Sequence, residues 1–135
     1  MPHRRVCLVG AGFISHVHAE ALKAIPGITL SAVVDPNLEA ATSLASKWGI
    51  AKAYGSIDEA LQAGSFDCAH VVVPPALHAA VGIKLLKAGI PVLLEKPLAV
   101  NHSEFLYLLL EKDFKCIDVT LEDQSDYFDN PEKTC

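Results

Sequence analysis

The sequence predicts a doubly wound α/β domain whose parallel sheet runs in the order 3-2-1-4-5. Short apolar runs alternate with stretches of helical periodicity across residues 5–95, joined by short links. The runs VVV at 71–73 and VLL at 92–94 are apolar at every position, as strands are when helices cover both faces of a parallel sheet. Right-handed crossovers between such strands leave few orders, and 3-2-1-4-5 is the one expected.

Each element has its own local signal. Arg5–Gly10 reads as the first strand, and Phe13–Ile25 as a helix stopped by Pro26-Gly27. Ile28–Asp35 is the second strand. Asn37–Trp48 is a helix with Ala41, Leu44, Ala45 and Trp48 on one face. Ile50–Tyr54 is a short third strand, and Ser56-x-x-Glu59 fits a capping box that opens a small helix. Asp67–Val73 is the fourth strand. Ala76–Ala88 is a helix with Leu77, Val81 and Leu85 aligned, ended by Gly89 with Pro91 just beyond. Pro91–Glu95 is the fifth strand, and Asn101-x-x-Glu104 opens a helix reaching to about Lys112. Farther on, Ile117, Val119 and Leu121 alternate with Asp118, Thr120 and Glu122, which suits a sixth, edge strand with one wet face. Residues 123–135 hold too little apolar content to pack and read as a tail. The expected division is a domain over residues 1–112 and an acidic edge strand and tail over 113–135.

Composition narrows the class. With 135 residues there is room for one domain, and a 51% hydrophobic content supplies its core. The densest apolar run, Phe105–Leu110, falls far short of the ~18 residues of a membrane span. Cys7, Cys68, Cys116 and Cys135 are far apart, a spacing that suggests neither a zinc site nor a disulfide framework. Reduced thiols and a cytoplasmic location are therefore expected, with no metal. MPHRR followed by VCLVGAGFI and Ala19-Glu20-Ala21 has the outline of a secretory leader. Two glycines weaken its apolar stretch, however, and the helical period continues past it. The net charge of −5 lies wholly in residues 111–135, which carry eight acids and three bases, while residues 1–110 carry eight of each. A neutral body with no basic stripe argues against nucleic acid or an anionic membrane as partner.

The chemistry starts at GAGFIS. Gly10 and Gly12 follow an apolar strand and precede a helix, which is the setting of a dinucleotide-binding turn. There the first glycine permits the bend, the second admits a pyrophosphate to the backbone, and the third lets the helix lie near the strand. Ser15 stands at the third place; it is small, and its hydroxyl is a candidate phosphate contact. The helix start at Phe13 and Ile14 offers free N–H groups and the positive end of the helix dipole. Asp35, at the end of the second strand, suits the ribose hydroxyls of an adenosine and repels a 2′-phosphate, so NAD is expected over NADP. The alternative for Asp35 is a cap on the next helix, with Pro36 at its first position.

The histidines sort by position. Helical spacing places His18 on an apolar side with Ile14, Leu22 and Ile25, as a hydrogen-bonded packing residue, and turns His16 outward. His70 inside the fourth strand reads as structural. His78 opens a helix beside the expected cleft and suits cofactor contact or packing equally.

Together GAGFIS, His18, VVDPN, the Pro74-to-His78 spacing and Glu95-Lys96-Pro97 resemble the Gfo/Idh/MocA family of NAD(P)-dependent oxidoreductases, over about residues 4–112. The resemblance implies a Rossmann-like cofactor domain, NAD as cofactor with NADP second, and hydride transfer to or from a sugar, inositol or related polyol. It implies Lys96 as the catalytic residue contacting the reacting oxygen, where an ammonium steadies a developing alkoxide. Gly10, Gly12, Phe13, Ile14, Asp35, Pro74, His78, Glu95, Lys96 and Pro97 are the cofactor-binding set it implies. Two departures stand out: Ser15 replaces the usual small residue, and Pro74 stands where a threonine is common. The family's second, substrate-binding domain, with its Asp-x-x-x-His acid and base, is also expected to be absent from this chain. The rival readings are a non-catalytic module that binds or senses NAD(H), and an α/β domain for another adenine ligand such as S-adenosylmethionine. Substrate and oligomeric state stay open.

Overall fold

The computed structural model describes residues 3–95, 101 and 103. The elements run β1 (Arg4–Val9), α1 (Phe13–Lys23), β2 (Ile28–Val34), α2 (Leu38–Trp48), β3 (Lys52–Tyr54), α3 (Ile57–Ala63), β4 (Cys68–Val71), a 3-10 turn (Pro75–Leu77), α4 (His78–Lys87) and β5 (Val92–Leu94). The five strands form one sheet in the order β3-β2-β1-β4-β5 with every pairing parallel, as the sequence predicts. Of the helix expected from Asn101 only residues 101 and 103 are described, and the edge strand at 117–122 and the acidic tail lie outside the described residues.

Two apolar clusters sandwich the sheet. Val6 and Leu8 of β1 join Ala19 and Leu22 of α1 and Ala41, Leu44 and Ala45 of α2. Cys7 and Val9 point the other way, into Ala60 of α3, Phe66 and Leu85 of α4. The period of two in β1 thus feeds both faces, which is what a doubly wound sheet requires. In β2 the parity is corrected midway. The register slips between Val6 and Cys7, so that Val6 pairs with Leu30 and Cys7 with Ala32, leaving Ser31 as the extra residue. Leu30 and Val33 therefore share one cluster while Ala32 and Val34 share the other.

Several boundaries are tighter than the sequence predicts. β3 starts at Lys52 because the Ile50 N–H turns back to the Ala45 carbonyl at 2.8 Å, while its side chain still fills the core. α1 ends at Lys23, and Ala24 and Ile25 make short-range bonds to Ala21 and Leu22. Pro74 and Pro75 lack N–H groups, so the chain leaves β4 through a 3-10 turn before α4.

Two helix faces also need correction. The buried face of α1 is Ser15, Ala19 and Leu22, whereas Ile14 and Ile25, expected beside His18 in the core, are 45% and 46% exposed. Small side chains let the helix rest on the strands, and the bulkier ones are displaced to its flanks. His16, expected outward, accepts a hydrogen bond at Nδ1 from the Trp48 indole at 2.9 Å. In α4 the buried residues are His78, Ala79, Gly82 and Leu85, while Leu77 belongs to the preceding turn and is exposed.

Candidate functional site

The chain reverses direction across the sheet between β1 and β4: β1 to β3 build one way, β4 and β5 the other. At that switch point the chain leaves the carboxyl ends of β1 and β4 for helices on opposite faces of the sheet, and the crevice this creates is the usual ligand position in an open α/β sheet. The GAGFIS turn lies there.

The two glycines of the turn have different physical reasons. Gly10 has φ +111°, and a Cβ on it would lie 2.7 Å from the Val72 carbonyl oxygen, so only glycine lets the ends of β1 and β4 approach. Gly12 has an ordinary φ of −86°, and a Cβ there would meet nothing within 4 Å. Its lack of a side chain serves no contact within the described residues; it keeps space open above the turn. Gly12 is also the N-cap of α1 and provides no side-chain cap, and the first turn carries no acid. Phe13 and Ile14 are exposed at this end. An uncapped helix start beside open volume suits an anion.

Ser15 does something other than expected. It is fully buried, and its hydroxyl donates to the Gly10 carbonyl. It therefore braces the turn from beneath and does not face a phosphate. Its small size serves the role of the third glycine, allowing α1 to lie against β1.

Asp35 is a brace as well. Its Oδ2 accepts the Ala11 N–H at 2.8 Å, and its Oδ1 accepts the Asn37 N–H at 2.8 Å. The cap of α2 is Asn37, whose side chain accepts from Ala40 N at 3.2 Å, so the capping alternative for Asp35 and the placing of Pro36 in the first turn do not hold. The Asp35 carboxylate thus sits beside the glycine turn, half-buried, with lone pairs left on both oxygens.

Across the crevice a cleft of about 280 Å³ is lined by Ile14, Val72, Val73, Pro75, His78 and Glu95. His78 is 1% exposed, with Nε2 2.8 Å from the Val73 carbonyl, so it packs the cleft wall and holds the strand-to-turn exit that contains Pro74. Glu95 follows β5 and is bound by His18 of α1: Nε2 lies 2.6 Å from Oε1. His18 Nδ1 lies 3.0 Å from His70 Nδ1 on β4, with the two rings nearly perpendicular. Burial, with His18 alongside, holds the His70 imidazole down to about 4, so it is neutral at physiological pH. Among the described residues no group of three or more His, Cys, Asp or Glu is placed to hold a metal ion.

Of the residues singled out from sequence, the fold brings Gly10, Gly12, Phe13, Ile14, Asp35, Pro74, His78 and Glu95 to this one end of the sheet. Lys96 and Pro97 lie outside the described residues. The His18–Glu95 link was not legible in sequence, since the partners are 77 positions apart and His18 looked like a packing residue.

A five-stranded sheet of this order, with a glycine turn under an uncapped helix at the switch point, defines a dinucleotide-binding α/β domain. The chain belongs to the Gfo/Idh/MocA group, the oxidoreductase family with an NAD-binding Rossmann fold, whose profile it matches over residues 4–116. It is 36% identical over 109 residues to an inositol 2-dehydrogenase of Leifsonia xyli subsp. xyli, an alignment covering 80% of this chain and 32% of that one. The crystal structure of GenD2 from gentamicin A biosynthesis in complex with NAD superposes with a TM-score of 0.75 at 33% identity, covering 81% of this chain and 31% of that one. The WlbA dehydrogenase from Bordetella pertussis, in complex with NADH and UDP-GlcNAcA, gives a TM-score of 0.71 at 29% identity over 76% of this chain and 32% of that one. The chain spans about a third of the length of these relatives.

Proposed function

We propose that this chain is the cofactor-binding part of an oxidoreductase that moves hydride between NAD and a sugar, inositol or related polyol. One observation carries the binding half of that reading: the open volume above Gly12, at the uncapped start of α1, which fits a pyrophosphate. NAD, when bound, supplies the hydride acceptor. The chain's own residues do the rest. The N–H groups at Phe13 and Ile14 take the phosphate charge. Asp35 accepts the adenosine ribose hydroxyls and disfavours a 2′-phosphate, which selects NAD over NADP. Glu95 faces the cleft from the end of β5 and borders the reactive end, while Pro74 and His78 shape the wall opposite. Lys96 and Pro97 are assigned by resemblance to the family, Lys96 as the cation beside the reacting oxygen. The substrate class follows from the inositol and UDP-sugar names of the relatives.

The test is a pair of fluorescence titrations with NADH and NADPH, followed by an assay of NADH formation over inositols, aldoses and their nucleotide-linked forms, with Lys96→Ala as control. NADH binding tighter than NADPH binding supports the cofactor reading, and no binding of either sinks it. Turnover abolished in Lys96→Ala supports the catalytic half. Binding without turnover on any of the panel favours a module that binds NAD(H) without acting on a polyol by itself.

A further inference from the structure

We infer that His18 is a positioning residue of the cofactor cleft: from α1 it clamps the Glu95 carboxylate at the end of β5, and His70 on β4 clamps His18 in turn. The inference deepens the function proposed above and rests on its cofactor reading.

Three elements that are distant in sequence meet in this chain of contacts: His18 Nε2 to Glu95 Oε1 at 2.6 Å, and His18 Nδ1 to His70 Nδ1 at 3.0 Å. Glu95 is the only one of the three that lines the cleft. Its side chain is 41% exposed while that of His18 is 14% exposed, so the acid faces the ligand space and the histidine backs it. β5 is only three residues long, and the Glu95 N–H reaches the Val71 carbonyl at 3.5 Å, a weak hold on the backbone just where the chain leaves the sheet. The side-chain clamp supplies the stronger restraint.

Hydrogen-bond accounting makes the clamp independent of the charge on His18. An ionised carboxylate only accepts, so Nε2 must carry a proton. With His18 neutral, its Nδ1 is a lone pair, and His70 must donate from its own Nδ1–H. With His18 charged, its Nδ1–H donates instead, and His70 presents a lone pair by moving its proton to Nε2. His70 can play either part because burial keeps it neutral through the physiological range. Both contacts persist in both states, and only the tautomer of His70 changes. No other titratable group among the described residues has a hydrogen bond to His18.

The experiment compares NADH affinity in the whole chain carrying His18→Phe, His18→Asn, His18→Gln, Glu95→Ala and the His18→Phe/Glu95→Ala double change. Glutamine ends its amide near the place of Nε2 and can donate to Glu95, whereas asparagine ends near Nδ1 and reaches only His70. NADH binding is expected to weaken about five- to tenfold in the Phe and Asn variants and to recover in the Gln variant. The double variant is expected to be no weaker than Glu95→Ala alone. Imidazole nitrogen NMR is expected to show the His70 Nδ1 hydrogen-bonded to the His18 ring in the parent chain, whichever of the two carries the proton, and to lose that signature in His18→Phe. A parent chain that binds NADH, with folded His18 variants that all bind it equally well, overturns this inference alone. So does a Gln variant as weak as Phe, or a His70 Nδ1 that makes no hydrogen bond to the His18 ring in the parent. A parent chain that binds no NADH overturns the cofactor reading and this inference with it.

Discussion

The carboxylate of Asp35 accepts the backbone N–H of Ala11 at 2.8 Å, tying the end of β2 to the middle residue of the glycine turn. The acid expected to choose the cofactor is thus also part of the frame that shapes the glycine turn. Removing it affects two things at once, and the variants must separate them. Asp35→Ala is expected to weaken NADH by roughly 1–3 kcal/mol, since charged hydrogen bonds and the turn's brace are lost together. Asp35→Asn retains one oxygen that can accept from Ala11, but it loses the charge and the acceptor for the Asn37 N–H. It is expected to narrow the preference for NADH over NADPH and to lower the melting temperature by the loss of one hydrogen bond. Parallel titrations and melts check both; an unchanged preference in Asp35→Asn would mean the charge does not select.

Gly10 and Gly12 are expected to fail in different ways. Gly10→Ala places a methyl against the Val72 carbonyl at a backbone angle that L residues resist, and should cost at least about 1–3 kcal/mol of stability. Gly12→Val sets its Cβ more than 4 Å from any neighbour, so thermal stability should fall only by what a poor N-cap residue costs, while NADH binding is abolished. Circular dichroism melts beside binding titrations read the two effects. A stable Gly12→Val chain that still binds would place the pyrophosphate elsewhere.

Ser15→Ala tests the corrected role of that hydroxyl. It removes a buried donor from the Gly10 carbonyl, and the loss should be about 1–3 kcal/mol in denaturant unfolding. NADH affinity measured well below the unfolding transition should hold, because the hydroxyl is buried and turned to the Gly10 carbonyl. A selective fall in affinity without a fall in stability would restore the phosphate role.

Stability should decline in two steps on acidification. His70 is depressed from 6.5 to about 4, chiefly by burial, so the folded chain binds its proton more weakly than the unfolded one. That contribution is present above the unfolded value and is lost as pH falls through about 4. Asp67 is held down from 3.8 to about 2 by the hydrogen bonds from Arg5, so its contribution is present above about 4 and is lost as pH falls toward 2. Arg5→Ala is expected to shrink the lower step, since the backbone N–H at position 5 still donates to Asp67, and to leave the upper one, as read by urea midpoints across the pH range. The Arg5–Asp67 pair is exposed, which keeps the lower step small and salt-sensitive.

The sequence by itself determined the fold and the family. The strand order follows from alternating strand and helix signals and from runs apolar on both faces, because those patterns are local and the crossover rule leaves few ways to join them. Gly10, Gly12 and Asp35 were legible for the same reason: a turn, an open helix start and a strand-end acid are each marked by neighbours in the chain. Tertiary structure decided what these groups bond to. Asp35 proved to brace Ala11 with the cap falling to Asn37, Ser15 turned inward to Gly10, and Ile14 was pushed out as Ala19 moved in, since each outcome depends on which surface packs against the helix. Ser31 shifted the parity of β2, which no periodicity reveals. The His18–Glu95–His70 contacts join α1, β4 and the end of β5, and only the closing of the sheet brings side chains so far apart in sequence within hydrogen-bond range.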